Sequence, residues 1–63
     1  MVQHPTLVRI EYWNNARGEW VVGHAAWNLL NPIAYVRKVT ARGTLARAIE
    51  IDSGVVHYGS DIL

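Results

Sequence analysis

Residues 6–24 constrain the fold more than any other part of this chain. Val8, Ile10 and Tyr12 alternate with Arg9, Glu11 and Trp13, the period of two that sends successive side chains to opposite faces of a half-buried strand. The run NNARG follows at 14–18. Asn tolerates the left-handed region and Gly adopts positive φ without a steric cost, so a turn is expected there. At 19–24 the run EWVVGH resumes β-branched and aromatic character and should pair back as a hairpin. One of its faces would carry Trp20, Val22 and His24, and the other Val21 and Gly23. Trp13 and Trp20 flank the turn and should lie close across the strands, an aromatic pair contributing roughly 0.2–1 kcal/mol.

A helix is signalled once. Asn31-Pro32 places a favoured N-cap before a proline whose missing N–H would be unpaired anyway at the first helical position. Gly43 supplies the matching stop, so the helix is expected over 32–42. At about 100° per residue, Ile33, Tyr35, Val36, Val39 and Thr40 share one arc. Arg37, Lys38 and Arg42 occupy the other, with Ala34 and Ala41 and no acidic residue.

After the helix, 44–52 reads as a strand in which Leu45, Ile49 and Ile51 share a face that Arg47 interrupts. Asp52-Ser53-Gly54 is a turn, 55–58 a short last strand, and 59–63 a loose tail. Residues 25–30, AAWNLL, fit a strand extension, a bulge or a helical turn equally. The expected fold is a single α+β domain over 1–63 in the order β-β-α-β-β, a four-stranded antiparallel sheet with one helix on a face. A small β-barrel with an inserted helix is the rival. The expected core is Val8, Ile10, Tyr12, Val22, Ile33, Val36, Val39, Leu45, Ile49 and Ile51.

Size makes this plan marginal. At 63 residues roughly 40% of the unfolded surface stays exposed after folding, and one core rarely supplies more than about 3–5 kcal/mol. The chain has no Cys, so neither a disulfide nor a thiolate metal site can staple it. A hydrophobic content of 51% is too high for disorder. No apolar run reaches the roughly 18 residues of a membrane span, and no basic-then-apolar leader is present, so a cytoplasmic protein is expected. One helix cannot cover four strands, which leaves apolar area for a second copy to bury, and a homodimer is expected.

Trp13, Trp20 and Trp27, with no Phe in the chain, are the unusual residues. Strand packing accounts for most such tryptophans, but Trp, Tyr and Arg also dominate binding hot spots. Trp13 points away from the Val8–Ile10–Tyr12 face and is the first candidate for a partner surface, with Trp27 beside it. The cations Arg37, Lys38 and Arg42 complete that surface. They complement the helix dipole, and they could instead neutralise phosphates, with Tyr12, Trp13 and Tyr58 as stacking platforms for single-stranded nucleic acid. The net charge of only +1 weighs against nucleic acid.

Other constellations carry less. His4, His24 and His57 lack the close spacing of zinc ligands, although strands could bring His24 and His57 together. Ser53, His57 and Asp61 supply the residue types of a triad but sit in a turn and a tail. Glu50 and Asp52 could pair as carboxylates, yet a chain this short has little room for a pocket. The glycines form no phosphate loop. No enzyme, metal or cofactor is expected.

The segment LLNPIAYVRKVTARG, at 29–43, and an Arg-over-Lys bias of five to one resemble small uncharacterised proteins of actinobacteria and their bacteriophages. In those proteins an Asn-Pro start, an aromatic-bearing helix and an Ala-Arg-Gly stop recur. The resemblance covers a small part of the chain and carries no catalytic motif. It implies a non-enzymatic module that binds another protein, of the host or of the virion, and it leaves DNA binding as the alternative.

Overall fold

The computed structural model describes residues 4–60. Strands β1 (Thr6–Asn14) and β2 (Glu19–Leu29) form the first hairpin, α1 (Pro32–Ala41) follows, and β3 (Ala46–Glu50) and β4 (Val56–Tyr58) form the second. All pairings are antiparallel, in the order β2-β1-β3-β4. The sheet is open, so the barrel alternative is excluded and the four-stranded α+β fold stands. Its extents of 42 × 20 × 16 Å describe an elongated slab.

Local chemistry accounts for each boundary. Asn14 Oδ1 accepts from Arg17 N–H at 3.1 Å, and Gly18, at φ +66°, donates to Asn14 O at 2.8 Å, closing the first turn. Asn31 Oδ1 accepts from Ala34 N–H at 3.1 Å, with Pro32 beginning the helix. Arg42 caps the C-terminus, and Gly43, at φ +112°, donates to Thr40 O.

Residues 25–30, open from sequence, are mostly strand: β2 runs to Leu29. It has 11 residues against the 9 of β1, and the register takes up the two extra residues as two bulges, at the Val8/Ile10 and Ile10/Glu11 steps. A bulge sets two residues of one strand against one of its partner. One consequence corrects the expected facing of β2. His24 pairs with Ile10, on the helix side, whereas Trp20 and Val22 pair with Trp13 and Glu11 on the other side.

The core also differs from expectation. Val8, Ile10, Val36, Ala46 and Ala48 are fully buried, with Tyr12, Trp27, Leu29, Tyr35 and Val39 packed around them. The helix covers the even-numbered side of β3, its two alanines, and not the Leu45–Ile49 side. Small residues permit this: α1 packs on β3 and β4, and a Cβ on Gly59 would fall 2.4 Å from Val36 O and 2.0 Å from Thr40 Oγ1. Close approach buries Val36 against the sheet, and larger residues in these places would lift the helix away. Val22, Ile33 and Ile51, expected in the core, are instead 50%, 43% and 46% exposed. Gly59, assigned to the tail, is held by its N–H to Ala46 O at 2.8 Å. Residues 61–63 lie outside the described residues.

Candidate protein-binding face

The face of the sheet opposite α1 is built from the alternate residues of all four strands. β1 contributes Arg9, Glu11 and Trp13. The register sets Trp20 and Val22 of β2 beside them on one side, and Arg47 and Ile49 of β3 on the other, with Val56 and Tyr58 of β4 beyond. Among the described residues no helix covers this surface.

Its centre is a buried acid. Glu11 is only 6% exposed, and burying a carboxylate is costly unless it is paired and hydrogen-bonded. Arg47 Nε donates to Glu11 Oε1 at 2.6 Å, and Arg9 Nε lies 3.2 Å from Oε2. The same Arg47 guanidinium lies 4.2 Å from the centre of the Trp20 ring, where the negative face of the indole attracts it. Trp13 meets Trp20 edge to face at 5.4 Å, and Tyr58 lies 6.1 Å from Trp20. The rings and the guanidinium lie across the strands and shield the carboxylate, while Val22, Val56 and Tyr58 remain 50%, 37% and 39% exposed around them. The result is an aromatic and aliphatic surface without a groove, with two arginines on one acid and therefore a single excess positive charge.

Of the residues singled out from sequence, Trp13 belongs to this face. Trp27 does not. It packs on the core side, 4.3 Å from the His24 ring and 5.0 Å, edge to face, from Tyr35. Arg37 and Lys38 on α1, and Arg42 at its C-cap, are exposed, so they lie on the helix side of the sheet, away from Trp13. Tyr12 is also on the helix side, its hydroxyl 2.9 Å from that of Tyr35. Partial burial, then the Tyr35 hydrogen bond, push its pKa up to about 12. The helix cations therefore share no surface with Trp13 or Tyr58, and Tyr12, on their side of the sheet, is packed against the core.

Glu11 and Arg47 are members of the face that sequence reasoning missed, whereas Trp20 and Tyr58 were noted, as the strand partner of Trp13 and as a stacking platform, but not placed with Trp13 on one partner surface. The signal was present as parity. Arg47, taken as interrupting an apolar core face, is in register with Glu11 and Tyr58 on a face that was never core.

The remaining polar groups form a separate cluster in the second hairpin. His57 Nε2 lies 2.6 Å from Glu50 Oε2, and Ser53 Oγ donates to Glu50 Oε1 at 3.2 Å. The His57 hydrogen bond, more than the Ser53 bond, holds the Glu50 carboxyl below its ordinary range despite partial desolvation. Ser53 and His57 thus both engage Glu50, which is not the serine-to-histidine relay of a triad, and Asp61 lies outside the described residues. Asp52 stands in the turn rather than beside Glu50 on the strand. His24 and His57 sit on β2 and β4, at opposite edges of the sheet. Among the described residues no three His, Asp or Glu side chains gather as metal ligands, no pocket is present, and no helix is long and apolar enough to cross a membrane.

Comparison with protein-family models, with curated proteins and with solved structures finds no match to this chain.

Proposed function

We propose that this chain is a small non-enzymatic protein-binding module that also associates with itself, of the kind bacteriophages direct at host or virion proteins. The observation that supports it most is the uncovered sheet face. Trp, Tyr and Arg are the residue types that dominate binding hot spots, and here Trp13, Trp20, Tyr58 and Arg47 form one contiguous cluster ringed by exposed Val22 and Val56. Glu11 neutralises much of the cationic charge, which favours a partner that covers the face with apolar side chains. Holding the rings against each other reduces the side-chain entropy lost when a partner arrives.

Site-specific photo-crosslinking tests this reading. A photoreactive residue in place of Val56 should trap a specific protein that the same residue in place of Lys38 does not. Equal trapping at both positions, or trapping only at Lys38, overturns it.

The second reading, nucleic-acid binding, is favoured by one observation: Arg37, Lys38 and Arg42 are exposed together on a helix without acidic residues. Retardation of DNA or RNA at low salt, lost steeply as salt rises and abolished by replacing all three with Gln, would support it. No retardation at low salt removes it.

A further inference from the structure

The two edges of the sheet differ sharply. β4 has three residues and is packed under α1. β2 has eleven residues and, among the described residues, no strand on its outer side, and residues 21–26 are all exposed. Proteins ordinarily protect such an edge with Lys, inward charges or Pro. β2 has none of these beyond Glu19 at its first position: from Trp20 to Leu29 the only ionisable side chain is His24. Among the described residues its two bulges are the one protective device, and they confine the disruption to the middle of the strand, leaving 19–22 and 27–29 as regular arms.

We propose that this edge pairs with β2 of a second copy, antiparallel about a two-fold axis near His24, extending the two four-stranded sheets into one of eight strands. Charge selects the occupant. A strand without charges between Trp20 and Leu29 can lie against itself with no like-charge repulsion, and the only groups that meet near the axis are two histidines. Geometry agrees, because His24 is the midpoint of Glu19–Leu29. The two-fold lays the 19–22 arm of one copy along the 27–29 arm of the other and sets bulge opposite bulge. Eleven residues at about 3.4 Å each make an edge of about 37 Å. Such an edge buries on the order of 1,000 Å² in total, near the lower limit of a specific interface, so the dimer should be micromolar.

The pairing deepens the self-association within the proposed function and leaves the aromatic face of both copies open, so the two readings can fail separately. Because the chain has no cysteine, single-cysteine variants report contacts cleanly. His24→Cys should give a covalent dimer as its main product under mild oxidation, whereas Ser53→Cys, in the distant β3–β4 turn, should stay monomeric. By sedimentation at about 100 μM, where a micromolar dimer is nearly saturated, the wild type should be dimeric. Ala26→Lys, at an exposed position, should weaken the dimer at least tenfold with an unchanged circular dichroism spectrum. A monomeric wild type overturns the proposal. So does a dimer that cross-links through Val56→Cys and not through His24→Cys, which would place the contact on the aromatic face.

Discussion

The ring of Tyr12 lies in the space that a side chain at Gly23 would need: a Cβ there would fall 2.0 Å from Tyr12 Cε2. Gly23 is at the first bulge of β2, diagonal to Tyr12 across the ladder. The missing side chain lets the ring lie over the strand backbone while its hydroxyl reaches Tyr35 on the helix. The hairpin is thereby joined to α1. Gly23→Ala should destabilise the fold by about 1–3 kcal/mol, the range for a forced overpacking. Urea denaturation would measure this. In a Tyr12→Ala background the same substitution should cost much less, a coupling that a double-mutant cycle reads directly.

Arg47 serves Glu11 and Trp20 at once, so its loss should cost more than a surface ion pair. Arg47→Ala leaves a buried carboxylate with Arg9 alone and removes the cation from the indole face. A loss of about 3–5 kcal/mol is expected, as for breaking a buried pair, together with a change in tryptophan fluorescence. Arg47→Lys should recover only part of it, because an ammonium cannot both reach the carboxylate through a planar fork and stack on the ring. A loss below about 1 kcal/mol for Arg47→Ala would show the pair to be effectively solvent-exposed.

Gly59 should behave quite unlike a tail residue. Gly59→Ala drives a methyl group into Thr40 Oγ1 and Val36 O, and a loss of about 1–3 kcal/mol is expected in thermal or urea melts. Thr40→Ala should not restore it, since the Val36 carbonyl is backbone. Asn31→Ala, which removes only the cap to Ala34, should cost about 1 kcal/mol.

Stability should fall at both ends of the pH scale for identifiable reasons. The folded pKa of Glu50 is depressed, chiefly by His57. Its contribution is therefore present above the unfolded carboxylate range and is lost as pH falls through the folded value. Carboxyl chemical shifts should show Glu50 titrating low, and His57→Ala should return it toward the ordinary value. Tyr12 acts in the opposite direction. Its pKa is raised from about 10 to about 12, so its contribution is complete below pH 10 and lost as pH rises through 12. Tyr12→Phe should remove that part of the alkaline destabilisation.

Local chemistry made the element order legible in the chain itself. Alternation in 6–13, the NNARG turn and the Asn-Pro cap are short-range signals, each satisfied within a few residues, and each appears in the fold where the residues place it. The Trp13–Trp20 pair was legible for the same reason, because a tight turn sets the register on both sides of it. Which side of the sheet the helix covers was decided only in three dimensions. Hydrophobicity favoured the Leu45–Ile49–Ile51 side of β3, but close packing favoured Ala46, Ala48 and Gly59, which let Val36 reach the strands. That choice placed Arg47 on the open face with Glu11 and the tryptophans, and made an apparent interruption the centre of the candidate site. Of the two bulges, the one at 25–26 was only an open alternative in the chain and the one at Gly23 gave no signal, because both arise from a mismatch of two residues between β1 and β2 that exists only once the strands are paired. They turn His24 toward the helix side, on a long strand whose outer edge carries no charge beyond Glu19 and has no strand beside it among the described residues.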